Sequence, residues 1–190
     1  MDGVENSKVP PAISLFTQAP VLVAVLITII VVLDGGLESY ISSIILMSII
    51  PLGAILFWSR RTGEGYGITS RNDRRLPYIV TCISFTLNAM ILYFYSGISS
   101  YFIISIQYLI GTMAMFALNF FTKLSVHAAG VSIFSYLSFQ ISPWLGAISI
   151  FLIPIVWWCR LIEKKHSLSE LVLGSVVGYI SPIVVAICFF

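Results

Sequence analysis

The residues of this sequence best suited to chemistry are two histidines, each in a short polar stretch. His166 is preceded by Arg160 and followed by Glu170, in the pattern R-x5-H-x3-E. Glu170 lies one helical turn beyond His166, so its carboxylate can hold the imidazole in one tautomer. Such an imidazole suits attack on phosphorus or proton transfer, and a guanidinium binds phosphate oxygens bidentately. The spacing therefore predicts a phosphate-handling site.

Two other polar stretches carry residues of the same kinds. One is the stretch 122–127, which contains Lys123, Ser125 and His127. The other is the stretch 59–75, which holds five arginines, namely Arg60, Arg61, Arg71, Arg74 and Arg75. Together the three stretches contain both histidines and nine of the ten lysines and arginines, Lys8 being the tenth.

The elements that must position these residues are long apolar runs. Of the 190 residues 58% are hydrophobic and 9% are charged, and the mean hydropathy is +1.01. Charged residues make up about 25% of a typical soluble domain. The runs are continuously apolar rather than alternating with period two, which indicates helices and excludes a barrel. The composition predicts an all-α, polytopic transmembrane helix bundle in one domain, residues 1–190.

Short polar segments divide the chain into about six to seven apolar spans. The predicted spans are approximately 13–33, 40–58, 77–95, 101–121, 128–141, 144–159 and 168–190. The short fifth run is the least regular, and it is interpreted as a half-buried or tilted helix. An even number of spans separates each basic stretch from the next, so the three stretches are expected to meet at one membrane face. The mid-span amides Asn88, Gln107 and Asn119 are expected to join helices by hydrogen bonds.

The charge distribution also predicts topology and partners. The loops opposite the basic face carry only Asp34 and Glu38, and the positive-inside rule places the basic face in the cytoplasm. A phosphate site would gather cations on its face in either orientation. No basic tail or aromatic-basic stripe indicates nucleic acid. The three cysteines lack metal-ligand spacing and are read as small core residues. The expected partners are membrane lipids, and self-association of the chain is left open.

The motifs resemble those of the type 2 phosphatidic acid phosphatase superfamily. Arg160, His166 and Glu170 resemble its third signature, S-R-x5-H-x3-D, with Cys159 in place of the serine and glutamate in place of the aspartate. The stretch 124–127 is similar to its second signature, P-S-G-H, with Leu124 and Val126 replacing proline and glycine. Its first signature, K-x6-R-P, corresponds only loosely to residues 71–77, which contain no lysine. The resemblance covers residues 59–190, and two spans within 1–58 precede it.

This resemblance implies an enzyme that removes phosphate from a lipid, an isoprenoid or a phospholipid, through a phosphohistidine. His166 would be the nucleophile, Glu170 would orient it, and His127 would protonate the leaving oxygen. The phosphate would be held by cations and a hydroxyl, namely Arg160, Arg71, Arg74, Arg75, Lys123 and Ser125. The resemblance implies neither a metal nor another cofactor.

Other interpretations of the same residues stay open at this stage. Residues 167–170 also read as a capping box, S-x-x-E, at the start of the last span. Lys164 and Lys165 are more typical of helix-end anchors among lipid headgroups, and His127 alone would be an interfacial histidine. The functional alternatives are a phosphotransferase of the same superfamily and a non-catalytic protein that binds anionic lipid.

Overall fold

The computed structural model describes residues 9–63, 68 and 70–189, with the side chains of residues 9–12 excepted. Lys8 lies outside the described residues. Within the described ranges every regular element is a helix. We number the α-helices α1 (Val9–Phe16), α2 (Ala19–Asp34), α3 (Leu37–Ser43), α4 (Ile50–Thr62), α5 (Arg75–Ser96), α6 (Ser100–Leu118), α7 (Val126–Ile141), α8 (Pro143–Ile150), α9 (Leu152–Ile162) and α10 (Leu168–Phe189). A π-helix, Ile44–Ile49, joins α3 to α4.

Five of the helical segments described are long and apolar enough to cross a membrane. They are Leu37–Thr62, Arg75–Ser96, Ser100–Leu118, Pro143–Ile162 and Leu168–Phe189, and the apolar helices α2 and α7 are shorter. The chain is thus an all-helical protein compatible with integral membrane insertion. All three cysteines are free thiols. Cys159 is buried, as predicted for a core residue, whereas Cys82 is half-buried and Cys188 is exposed, so the prediction is wrong for Cys188.

The predicted first span, 13–33, is two helices rather than one. The chain leaves helical geometry at Gln18, whose backbone is extended at φ −62° and ψ 139°. Pro20 follows within the first turn of α2. Proline has no amide hydrogen, and its ring crowds the carbonyl four residues earlier, so Pro20 favours the start of a new helix over continuation of α1. The break lets α1 pack against α9 instead of extending α2.

The short fifth run, α7, lies at the centre of the bundle. Ten of its residues are buried among the other helices, while its interpretation as a helix that is half-buried or tilted in the membrane stays a prediction. Its main neighbour is α10, where Gly174 and Gly178 face its backbone: a Cβ added at Gly174 would lie 2.5 Å from the carbonyl oxygen of Ser125. Small residues allow this close approach of two helices. The first turn of α10, which carries Glu170, is thereby fixed against the start of α7.

The mid-span amides join helices, as the sequence predicts, in two of three cases. Asn88 Nδ2 donates to the hydroxyls of Ser43 at 3.2 Å and Ser105 at 3.3 Å. Gln107 Nε2 lies 3.3 Å from Gln140 Oε1. Asn119 instead follows the end of α6, where its Nδ2 donates to the Arg71 carbonyl at 3.0 Å. Its amide therefore ties the end of α6 to the 59–75 stretch.

The three basic stretches meet at one end of the bundle. Arg74 NH1 donates to the carbonyl of Leu124 at 2.7 Å. The third basic stretch is 160–166, which contains Arg160 and His166. Lys123 Nζ, in the 122–127 stretch, donates to the carbonyl of Lys165 in this third stretch at 2.9 Å. The predicted convergence of these stretches is confirmed, while the side of the membrane on which they lie stays a prediction.

Candidate functional site

The His166–Glu170 pair lies where the chain turns from α9 into α10. Lys164 adopts a left-handed backbone conformation, φ 53°, which helps reverse the chain within a few residues. The Ser167 hydroxyl accepts the amide hydrogen of Glu170 at 3.4 Å, which is one half of the predicted capping box. The Glu170 carboxylate is directed to the histidine: its Oε2 lies 2.5 Å from His166 Nδ1. The orienting contact and the cap therefore coexist.

Lys123 supports this pair from the neighbouring stretch. Its Nζ lies 3.9 Å from Glu170 Oε2, besides donating to the carbonyl of Lys165. The same carboxylate oxygen thus faces both an imidazole and an ammonium. Lys123 is placed to hold Glu170 and the 160–167 turn, at the edge of the site.

Arg160 is a buried cation with unused hydrogen-bonding capacity. Its side chain is 8% exposed, and its NH1 lies 2.6 Å from Glu163 Oε2. NH1 also donates to the hydroxyl of Ser14 at 3.2 Å. Its Nε is buried and has no hydrogen-bond partner within the part of the chain that the structure describes. A buried guanidinium nitrogen without an acceptor is a ready donor to an anion.

Of the three arginines in the 71–75 cluster, only Arg74 is buried. Its Nε donates to the carbonyl of Ile68 at 2.8 Å, and these contacts fix the guanidinium beside the histidines. Arg71 and Arg75 are exposed. Arg71 NH1 donates to the carbonyl of Phe121 at 3.2 Å, and the Arg75 guanidinium lies 5.0 Å from the centre of the Phe120 ring. The structure does not bring these two to the site.

His127 lies in the first turn of α7 and contacts the N-terminal helix. Its Nε2 is 3.1 Å from the backbone carbonyl oxygen of Ser14, which requires that Nε2 carry the hydrogen. The Ser14 hydroxyl in turn donates to Glu163 Oε1 at 2.9 Å. One residue of α1 is therefore bound to the histidine, the carboxylate and the arginine of the site.

Ser125, predicted to bind phosphate, caps α7. Its hydroxyl accepts the amide hydrogen of Ala128 at 3.3 Å, and its own amide donates to the carbonyl of Glu170 at 3.1 Å. The side chain is fully buried. Ser125 therefore fixes the start of α7 against α10, and with it the position of His127.

Four of the predicted residues line one cavity of about 120 Å³: Arg74, His127, Arg160 and His166. Three other predicted residues do not line the cavity but support its wall through the contacts given above. They are Lys123, Ser125 and Glu170. Most of the remaining wall is apolar, from residues such as Ile55, Phe85, Tyr108, Met115 and Ile133. The cavity combines a cationic end that holds two imidazoles with an apolar interior.

The surroundings keep His166 neutral. Burial first, and then the positive charges of Arg74 and Arg160, lower the pKa of His166 below its ordinary value. Burial also lowers the pKa of Lys123, against the opposing effect of Glu170. With Nδ1 directed at the Glu170 carboxylate, Nε2 is the nitrogen of His166 that remains for a reactant. A neutral imidazole with one free ring nitrogen can act as a nucleophile or a base.

Sequence reasoning missed two polar residues of this site, Ser14 and Glu163. Glu163 carried a usable signal, because it follows Arg160 by three residues near a helix end, where such pairs interact. Ser14 carried none, since it lies within an apolar run and reaches the site only because the chain breaks at Gln18.

No protein-family model, no curated protein and no solved structure matches this chain. The chemistry of the site is therefore argued from the residues that form it.

Proposed function

We propose that this protein is a membrane lipid phosphatase that hydrolyses a phosphate or diphosphate monoester of a lipid through a phosphohistidine on His166. The observation that carries the proposal is the 2.5 Å contact between His166 Nδ1 and Glu170 Oε2, made by a histidine that shares one cavity with Arg74, Arg160 and His127. A site that only binds anions needs the cations but not an oriented imidazole.

The first step is transfer of the phosphoryl group to the protein. The lone pair on His166 Nε2 attacks phosphorus, the bond from phosphorus to the lipid oxygen breaks, and that oxygen takes a proton from His127. Burial first, and then the charge of Arg160, lower the pKa of His127, and the negative charge of the bound phosphate acts against them to favour its protonated form before the step. Glu170 stabilises the positive charge that develops on His166, and the guanidinium groups of Arg74 and Arg160 stabilise the equatorial oxygens.

The second step returns the protein to its starting state. Water gives a proton to His127 and attacks phosphorus, and the bond from phosphorus to Nε2 of His166 breaks. Inorganic phosphate leaves, and His127 is protonated for the next cycle. The residue thus acts as an acid in the first step and as a base in the second.

The location of the cavity supports a lipid substrate. His166 lies between two membrane-length helices and His127 lies in the first turn of the shorter α7, and the wall beyond them is mainly apolar. A substrate with its phosphate at the cationic end would have its apolar part within the bundle or the bilayer.

The test is phosphate release by the purified full chain in lipid nanodiscs. The substrates are polyprenyl phosphate, polyprenyl diphosphate, phosphatidate and phosphatidylglycerophosphate. We expect release from at least one of them with water as the acceptor. Release that requires an added alcohol would support a phosphotransferase, and saturable binding without turnover would support a lipid-binding protein. Either result would overturn the hydrolase assignment.

A further inference from the structure

The cavity extends from the cationic end deep into the bundle. Arg74 directly precedes α5, and Phe85, eleven residues further on, still lines the cavity. At 1.5 Å per residue this is a depth of about 16 Å. On α7 the lining runs from His127 to Ile133, which is about 9 Å. This depth is about half the thickness of a hydrocarbon core, which is about 30 Å.

The walls of this cavity belong to several helices of the bundle interior. Ile55 comes from α4, Thr81 from α5, Thr112 from α6 and Ala129 from α7. The volume is about 120 Å³, slightly less than that of a cavity of about 150 Å³ that holds one benzene ring, so only a few carbons of a chain fit. This suits the first part of one unbranched or methyl-branched chain, and it is too small for two chains side by side.

A buried hydroxyl in the wall also points to a ligand. Tyr108 is 2% exposed, and its hydroxyl has no hydrogen-bond partner among the residues that the structure describes. Tyr108 lines the cavity, so a water or an acceptor group on a bound molecule is the available partner for this hydroxyl. Buried polar groups in proteins are rarely left without one.

We propose that the substrate is a lipid phosphate with a single chain, and that this chain enters the bundle along α5, α6 and α7 and contacts Tyr108. The inference rests on the proposed function, because it takes the cationic end of the cavity to hold the phosphate. It narrows the substrate class from lipid phosphates in general to those with one slender tail.

The test measures binding without hydrolysis. Single-chain phosphonates, one with a saturated chain and one with a prenyl chain, and a diacyl phosphonate are added to the full chain in nanodiscs, and the thermal unfolding midpoint is recorded. We expect at least one single-chain phosphonate to raise the midpoint in a saturable way and the diacyl compound to leave it unchanged. Equal stabilisation by the diacyl compound, or none by either single-chain compound, would overturn the inference.

Three substitutions locate the chain in the protein. Thr112→Trp fills the cavity and should abolish the stabilisation, whereas Met113→Trp, on the same helix at a position 51% exposed, should preserve it. Thr81→Leu adds less volume to the cavity and is used if Thr112→Trp does not fold. It should weaken binding of the single-chain phosphonate at least threefold. Binding that all three variants retain would place the chain outside the cavity and overturn the inference.

Tyr108→Phe distinguishes a prenyl chain from a saturated chain. A prenyl double bond can accept a weak hydrogen bond from the hydroxyl, and a saturated chain cannot. Loss of affinity for the prenyl compound alone assigns an olefinic chain, and a gain for the saturated compound assigns an alkyl chain. Unchanged affinity for both would contradict contact with Tyr108. Because binding is measured apart from turnover, saturable binding without phosphate release would refute the proposed function and leave this inference standing.

Discussion

Oε2 of Glu170 lies 2.5 Å from Nδ1 of His166 and 3.9 Å from Nζ of Lys123. One carboxylate oxygen therefore faces both groups. The arrangement depends on α10 starting against α7, where Gly174 leaves room for the backbone of Ser125. The orientation of the imidazole is thus a consequence of helix packing as well as of sequence spacing.

Glu170→Gln should lower kcat by about 100-fold, because the amide cannot stabilise the positive charge that forms on His166. The Ser125 amide binds the backbone carbonyl of residue 170, and that contact is kept in the variant. Phosphate release and the inhibition constant of inorganic phosphate are measured together. Glu170→Asp is the matched control and should retain part of the activity. A fall in phosphate affinity without a fall in kcat would assign Glu170 to binding instead.

The arginines of the 71–75 cluster should differ in their importance. Arg74→Lys loses the guanidinium fork that meets the cavity and the carbonyl of Leu124, so kcat/KM should fall by about 100-fold. Arg75→Lys should change it by less than about threefold, since this side chain packs on Phe120 outside the cavity. Equal losses in both variants would show that the substrate reaches beyond the cavity.

Protein stability should fall as the pH is lowered below about 6.5, the pKa of histidine in an unfolded chain. Burial and neighbouring cations lower the pKa of His166 in the folded protein, so between the two values the unfolded state binds more protons. His166→Asn should reduce the slope of unfolding free energy against pH by about 1.4 kcal/mol per unit near pH 5.5. Denaturant titrations in detergent between pH 5 and 8 measure it, and identical slopes would contradict a neutral buried His166.

Ser14 should limit access to the site, because it is bound to Arg160, Glu163 and His127. Ser14→Ala removes its hydroxyl contacts. With about 1 kcal/mol for each of these two hydrogen bonds, the histidines should become about 30-fold more reactive toward diethyl pyrocarbonate. Mass spectrometry locates the modified residues. Ser42→Ala is the control, since that hydroxyl binds the carbonyl of Ser39 in its own helix. Equal rates in wild type and Ser14→Ala would show that α1 does not cover the site.

Helix existence and order were predictable from the sequence, because continuous apolar runs separated by polar residues leave few alternatives in a membrane protein. The break at Gln18 and the central position of α7 were not predicted. The first depends on a single proline in an apolar run. The second depends on glycines of α10 that show their effect only once the two helices are paired.

The site was predictable where it is local in sequence. The His166–Glu170 contact follows from a spacing of one helical turn, and the meeting of the basic stretches follows from the even number of spans between them. The choice of Arg74 over Arg71 and Arg75 was not predictable, because it depends on which side chain the segment leading into α5 directs inward. The part played by Ser14 required the tertiary fold.

The most direct test of the central claim is to trap the phosphorylated protein. The full chain in nanodiscs is mixed with a lipid phosphate labelled with ³²P, quenched in base within the first turnover, and digested for mass spectrometry. The predicted result is label on His166 and no label in His166→Ala, with phosphate release lost in that variant. Label on another residue, or phosphate release that persists in His166→Ala, would contradict the assignment of His166 as the nucleophile.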